Sequence, residues 1–343
     1  MNIQEALGEL VQGNDLSQQA SAEVFHLIMS GQATPAQIGA FLAAIRVKGE
    51  TAAEIAGAAL TMRELSTRVD VSHPNLVDTC GTGGSGVKLF NISTAAAFVA
   101  AAAGAKVAKH GNRKMTSFCG SADVLEAAGV NLELSPTQIA RCILDVGVGF
   151  MFAPSHHSAM RHAGPVRQEI GIRTMMNVLG PMTNPAGARR QIIGVFDAEW
   201  QLRMAQVLRL LGAEHVIIVH SQGLDEIRLD APTRIVELAG GAISEFDIAP
   251  GDFGIDMASG DTVGALAAES TDASLALVKQ ALTEPDSPAA SIVCLNAGAA
   301  IYVSGIATSL SNGVIMAQDA VAAGLAKERL DELVRITRLM AES

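Results

Sequence analysis

The sequence predicts an α/β protein: a small all-helical domain, then a large domain whose mostly parallel central sheet is flanked by helices. Three observations predict it. Up to residue 70 the apolar residues recur at helical spacing, and the helical stretches open on capping residues. From Leu76 onward, short apolar runs alternate with helical stretches, the pattern of parallel strands covered on both faces. A glycine-rich loop, Gly81-Thr82-Gly83-Gly84-Ser85-Gly86, follows the first of these runs and precedes a polar helix start. In such sheets ligands bind beyond the carboxyl ends of strands.

Taken in order, Ile3, Ala6, Leu7, Leu10 and Val11 make one apolar stripe. A second helix is expected over 18–30, stopped by Gly31. Thr34-Pro35 opens a third as cap and first helical residue, and Gly49 ends it. Thr51-Ala52-Ala53-Glu54 is a capping box for a fourth, reaching about Leu65. These short amphipathic helices cannot bury their stripes alone, so a domain over 1–70 is expected to dock on the rest and to pair with a second copy. The segment 168–188 is expected to join it. After a linker at 70–74, the domain 75–343 carries strands near 76–80, 106–110, 148–152, 191–196 and 215–220. A hairpin follows over 234–238 and 242–246, turning at Gly240-Gly241. Helices are expected over 91–103, from Ser121, from Ser135-Pro136, before Leu211, over 272–282 and 288–303, and after Ser309.

Composition narrows the partners. The chain of 343 residues is 49% hydrophobic and 17% charged, with a formal net charge of -11. That balance disfavours a polyanion partner, and 3% aromatics is too few for a base-stacking platform, so no nucleic acid is expected. Cys80, Cys119, Cys142 and Cys294 show no C-x-x-C spacing and read as reduced, cytoplasmic thiols. The opening residues lack a basic and then apolar pattern, so no signal peptide is expected. The alanine-rich run to Ala103 is broken by Gly104 and Lys106 before it could span a bilayer, so no membrane is expected.

The chemistry-bearing residues cluster after the strands. The glycines let backbone N–H groups approach a ligand, and Asn91, Ser93 and Thr94 open the helix beneath them, a ready anion site. The next strand ends on Lys109, His110, Asn112 and Arg113, a cationic loop that suits a phosphorylated ligand. Tight turns alone would also explain the glycines. A dinucleotide fold would want its helix at the glycines and an acidic residue about 20 positions on, and a P-loop would want Lys-Ser/Thr closing the run; neither is present. Asp225-Glu226, after another strand, could hold Mg²⁺ together with substrate phosphates, or could simply face solvent. His156, His157 and His162 lack the spacing of a zinc motif. Arg167 suits a carboxylate, its alternative being an ion pair with Glu169 or another acid. Residues 177–185 are rich in turn formers and could line a flat apolar pocket.

These motifs together resemble the anthranilate phosphoribosyltransferases of tryptophan biosynthesis. The resemblance is carried by GTGG at 81–84, NIST at 91–94, KHGNR at 109–113, GSADVLEAAG at 120–129, PVRQEIGIRT at 165–174, LGPMTNPAG at 179–187 and GLDEI at 223–227. It implies a homodimer joined through the helical domains, and Mg²⁺-dependent transfer from phosphoribosyl pyrophosphate to anthranilate. It further implies donor contacts from Gly81, Thr82, Gly83, Gly84, Asn91, Ser93, Thr94, Lys109 and Ser121. Acceptor contacts would come from Gly81, His110, Asn112, His157, Arg167, Gly180 and Pro181, and metal ligands from Ser93, Asp225 and Glu226. No nucleophile or catalytic base is implied, because positioning and charge stabilisation suffice once the leaving group is neutralised. The chain departs from the family at Ser85, at 114–120 (Lys114 and Phe118 above all) and at Arg228, all on the donor and metal side. The added positive charge there predicts a shifted Mg²⁺ optimum. Alternative readings are a phosphoribosyltransferase with another aromatic acceptor, a non-catalytic relative that binds nucleic acid, and a pyrimidine nucleoside phosphorylase, which normally carries a further C-terminal domain.

Overall fold

The computed structural model describes residues 1–84, 88–113, 119–258 and 260–341, apart from the side chains of Gly260 and Asp261. Four helices open the chain: α1 (Ile3–Val11), α2 (Gln18–Met29), α3 (Pro35–Lys48) and α4 (Ala52–Glu64). Each starts on a side-chain cap, from Asn2, Ser17, Thr34 and Thr51, which satisfies orphan N–H groups of the first turn. Glu54 does more than close its capping box. Fully buried, it also accepts from the Leu16 backbone N–H (2.9 Å) and from Lys48 Nζ (3.0 Å), tying the α1–α2 connection to α4.

The sheet has seven strands: β1 (Leu76–Gly81), β2 (Lys106–Gly111), β3 (Val148–Phe152), β4 (Arg190–Gly194), β5 (His215–His220), β6 (Thr233–Ala239) and β7 (Ala242–Ile248). Their order is β3-β2-β1-β4-β5-β6-β7. The five from β3 to β5 run parallel, and β6 and β7 add an antiparallel hairpin at one edge. The chain builds outward from β1 through β2 and β3, then restarts on its other side with β4. The β1/β4 boundary is therefore a topological switch point, where a crevice opens at the carboxyl ends. Register sets Gly81 beside Gly194 at that mouth.

Helices α5 (Ile92–Ala102), α6 (Ser121–Ala128), α7 (Pro136–Asp145), α8 (Ala153–His156), α9 (Met160–Ile170) and α10 (Glu199–Leu210) connect the parallel strands. Beyond the hairpin come α11 (Gly260–Gly264), α12 (Thr271–Thr283), α13 (Pro288–Ser304), α14 (Leu310–Ala322) and α15 (Leu325–Ala341). The apolar, alanine-rich α5 and α13 are almost wholly buried, as expected of a helix apolar on every face. No single helix among the described residues is long and apolar enough to cross a membrane.

One helix departs from the sequence expectation. No helix is expected over 153–170, yet α9 runs through Gly164-Pro165, a pair that ordinarily breaks a helix. Its Val166 and Ile170 side chains lie over Gly39 of α3, each with a methyl carbon 3.6 Å from where a Cβ would stand there. Ala163 and Val166 join one apolar core with α1–α4, Met175, Met176 and Met182. Tertiary burial outweighs the local breaker.

Helices α13 and α14 cross at Gly298 and Gly313, where a Cβ on Gly313 would stand 2.2 Å from the Gly298 carbonyl oxygen. Gly313→Ala is expected to destabilise the fold by about 1–3 kcal/mol, the usual cost of overpacking. Gly8→Ala in α1, where a Cβ meets nothing within 4 Å, should instead stabilise it by up to about 1 kcal/mol. Urea unfolding midpoints read both, and equal signs would contradict the packing account.

Candidate active site

Asp225 lies across the mouth of the β1/β4 crevice. A Cβ on Gly194 would fall 1.7 Å from the Asp225 carbonyl oxygen, and one on Gly81 would fall 2.9 Å from Asp225 Oδ2. Only glycine at these two strand ends leaves room for the carboxylate. Four contacts then hold the glycine loop. Gly83 N donates to Asp225 Oδ2 (3.1 Å), Thr82 N to the Gly194 carbonyl (2.9 Å) and Phe196 N to Thr82 Oγ1 (3.2 Å). Arg173 Nη2 donates to the Gly84 carbonyl (3.0 Å), while its guanidinium stacks 4.0 Å from the Phe196 ring centroid.

Helix α5 begins beside this loop with no side-chain cap, leaving its first turn electrostatically open. Asn91, in the cap position, instead donates Nδ2 to Ser274 Oγ of α12 (2.9 Å). Thr94 is buried, and its Oγ1 has no partner among the described residues. Glu226 stands at the same helix start, where a hydrogen bond from the Ser93 backbone N–H favours its charged form. Burial, then the charge of Asp225, nevertheless drives its carboxyl up to about 8. Lys109 lies beneath, 2% exposed, with Nζ donating to the Thr79 carbonyl (2.5 Å) and reaching Ser93 Oγ at 3.3 Å. Burial holds the Lys109 ammonium below its usual range, with Asp78 opposing that shift.

Thr79, Ser93, Glu226 and Asn296 line one small cavity at this point. Two adjacent carboxylates, one destabilised as an anion, with a serine hydroxyl beside them, make a hard-oxygen donor set short of positive charge. That donor set fits Mg²⁺. Among the described residues no group of three or more His, Cys, Asp or Glu converges to hold an ion, so phosphate oxygens of a ligand would complete the coordination.

On the other flank the His110 and His157 rings meet at 5.1 Å and 58°. Both are buried, and each Nε2 lacks a partner among the described residues. The Gly180 carbonyl bonds the first ring and the Thr183 carbonyl the second, which leaves both Nε2 atoms as bare acceptors. Burial, then repulsion from His157, lowers His110 to about 3; burial, then repulsion from His156, lowers His157 to about 4. The half-buried Arg167 guanidinium is likewise held below its usual range by desolvation. It makes no ion pair or hydrogen bond among the described residues, so the alternative of a pair with Glu169 does not hold. A desolvated, unpaired guanidinium is suited to a carboxylate partner.

The histidines do not converge on a metal. His156 turns to the stretch leaving α4, where its Nδ1 meets the Thr67 carbonyl (2.6 Å) and its own carbonyl accepts from Thr67 N (2.8 Å). His162 accepts from Arg161 Nε (3.2 Å) and lies under Gly31. Two further bonds cross from the helical part: Arg63 Nε to the Met182 carbonyl (2.7 Å) and Val69 N to the Pro185 carbonyl (3.1 Å). Pro181 offers its carbonyl to Gln191 Nε2 (2.7 Å). Asn112 Oδ1 accepts from Arg113 N (2.8 Å), and its carbonyl receives Ser121 Oγ (3.4 Å) at the start of α6.

The cationic loop expected after β2 is not an open positive patch. Lys109 points inward, and Arg113 is taken up by Glu126, with Nη2 to Oε1 at 2.9 Å. Arg228 likewise is paired with Asp230, with bonds of 2.6 and 2.5 Å, which offsets its added charge. Ser85, Lys114 and Phe118 lie outside the described residues. Sequence reasoning missed Asn184, Gln191 and Arg173. Asn184 Nδ2 binds buried Asp78 (2.8 Å) and the Ala108 carbonyl (2.8 Å), while Asp78 Oδ1 accepts from His110 N (3.2 Å). An aspartate inside an apolar strand was the available signal, because a buried charge must find partners.

Two family models match the chain: the helical bundle domain of a glycosyl transferase family over residues 4–66, and the a/b domain of a glycosyl transferase family over 73–327. The anthranilate phosphoribosyltransferase of Teredinibacter turnerae is 56% identical over 344 residues, covering 99% of this chain and 100% of that protein. That of Saccharophagus degradans is also 56% identical, with the same coverage. Among solved structures, anthranilate phosphoribosyltransferase from Thermus thermophilus superposes with a TM-score of 0.92 at 40% identity, covering 97% of this chain and 99% of its own. The Saccharomyces cerevisiae enzyme in complex with PRPP and Mg gives 0.87 at 25% identity, covering 98% of both chains.

The buried histidines set a pH dependence. His157 falls from an ordinary 6.5 to about 4 on folding, so the unfolded chain binds its proton more tightly. Its contribution is complete above 6.5 and is lost as pH falls from there to about 4. His157→Gln should therefore flatten the dependence of unfolding free energy on pH in that window, by up to about 1.4 kcal/mol per pH unit. Parallel wild-type and variant curves would contradict a neutral, buried His157.

Proposed function

The chain belongs to the anthranilate phosphoribosyltransferases, and from that membership we propose that it transfers the phosphoribosyl group of phosphoribosyl pyrophosphate to the amine of anthranilate, releasing pyrophosphate. The observation that carries the donor half is the Asp225–Glu226 pair set directly against a glycine cradle and an uncapped helix start. The matched relatives share this activity in their names, which favours it over a different acceptor or a nucleic-acid-binding relative.

In this reading the donor diphosphate lies against Gly81, Thr82, Gly83 and Gly84 and the start of α5 at Asn91, Ser93 and Thr94, with Ser121 at the start of α6. Lys109 supplies buried positive charge from below. Asp225, Glu226 and the Ser93 hydroxyl would hold Mg²⁺ together with donor phosphates, and the ion would supply charge neutralisation for the leaving pyrophosphate. The anomeric C–O bond breaks, its electron pair leaves with pyrophosphate, and the amine nitrogen forms the new C–N bond and releases its proton. Gly81 and Asn112 flank the acceptor, Gly180 and Pro181 wall it, and Arg167 holds its carboxylate. His110 and His157 offer bare Nε2 acceptors to the amine N–H groups. Being such weak bases, they orient the amine rather than deprotonate it first.

The helical domain is taken as 1–70 and the α/β domain as 75–343, with the 168–188 stretch adding to the helical core through Met175, Met176 and Met182. Val11 and Val47, 74% and 88% exposed on α1 and α3, support a homodimer through this domain. Four free thiols fit a cytoplasmic location.

Pyrophosphate release that depends on anthranilate tests the reaction; release with another aromatic amine alone would replace the acceptor. Arg167→Ala should raise the KM for anthranilate by about 10–100-fold, the loss of a charge-assisted bond, and leave donor KM nearly unchanged. Equal effects on both would make Arg167 structural. Replacing Asp225 and Glu226 together by Ala should lower kcat as well as raise KM, since charge is neutralised in the transition state. Unchanged kcat at saturating Mg²⁺ would remove them from the metal site.

A further inference from the structure

We propose that Asn296 is a positioning residue for the carboxylate pair: its amide clamps the backbone of Ile227 and so fixes the direction in which Glu226 faces the cation. The inference rests on the metal reading of Asp225 and Glu226 given above.

The pair lies between β5 and β6, where no ladder supports the chain. Ile227, the next residue, must find partners for a buried N–H and C=O. Asn296 supplies both. Its Oδ1 accepts from Ile227 N (3.0 Å), and its Nδ2 donates to the Ile227 carbonyl (3.0 Å) and to the Ile292 carbonyl one turn back (2.9 Å). The side-chain amide thus acts as a one-residue strand, with both N–H donors used and its oxygen accepting once. Asn296 is 2% exposed in a helix otherwise lined with Ile292, Val293, Leu295 and Ala299, where an amide without such partners would be costly.

The platform is stiff, because α13 is held against α14 by the Gly298–Gly313 crossing. Asn296 also lines the cavity that Glu226 and Ser93 share. The two carboxylates are therefore held from opposite sides: Asp225 by the glycine loop through Gly83 N, Glu226 by α13 through the residue that follows it. Outer partners of this kind orient ligands and tune ion affinity.

The test uses the full chain with phosphoribosyl pyrophosphate and Mn²⁺, whose free fraction is read by electron paramagnetic resonance, beside kcat, anthranilate KM and the unfolding midpoint. Asn296→Leu keeps the volume and removes the clamp. It should weaken Mn²⁺ binding by about 10–100-fold and lower kcat, with anthranilate KM nearly unchanged. Asn296→Ser, which leaves space for a bridging water, should fall between the two, and it carries the test if Asn296→Leu does not fold. Glu226→Gln is the reference. If it weakens Mn²⁺ while folded Asn296 variants bind as wild type and lose only thermal stability, Asn296 is merely structural and the proposal is wrong. If Glu226→Gln itself leaves Mn²⁺ binding unchanged, the metal reading fails and the proposal falls with it.

Discussion

The crevice depends on one close approach, that of Asp225 to the ends of β1 and β4. Two missing Cβ atoms, at Gly81 and Gly194, let the chain after β5 lie directly on the mouth of the switch point. From that contact follow the bond that holds Gly83, the placing of Glu226 at the start of α5, and the repulsion between the two carboxylates. A side chain at either glycine would push apart the glycine loop and the loop that carries Asp225 and Glu226. The site is a property of sheet register as much as of the residues that line it.

Charge in the site is arranged with more economy than the residue list suggests. Lys109 is buried under Ser93, Arg113 is paired with Glu126, and Arg228 with Asp230. The glycine-loop side is left with backbone dipoles and an electron-rich carboxylate pair, while the opposite flank keeps Arg167 unpaired among the described residues. Two neutral histidines separate these regions in character without adding charge to either. Each half of the crevice thus lacks what the opposite kind of ligand group would bring.

Much of this was legible in the sequence because it is written locally. Capping boxes at Thr34 and Thr51, strand-length apolar runs and the double-glycine hairpin all announced elements that the fold contains. Helix α9 was not legible, since its Gly164-Pro165 break is overruled by packing on Gly39, a partner more than a hundred residues away in the chain. The direction of Lys109 was hidden for the same reason: whether a lysine at a strand end turns out or in depends on Thr79 and Ser93 across the neighbouring strand and helix. The amides of Asn184, Gln191 and Asn296 carry no local pattern, and their roles appear only once their distant backbone partners are known.

The clasp between His156 and Thr67 has a mechanical meaning. Thr67 belongs to the stretch leaving α4, and His156 is the immediate neighbour of His157. With Arg63 on Met182 and Val69 on Pro185, these three ties end on α8 and on the 180–185 stretch, and none of them ends on the glycine loop. The helical part is therefore coupled most directly to the segments that carry His157, Gly180 and Pro181. Strain applied to its remote face, by a neighbouring molecule or by a substitution there, would be felt first around His156 and the 180–185 stretch, and among the described residues would reach the glycine loop only through the single bond from Arg173 to Gly84.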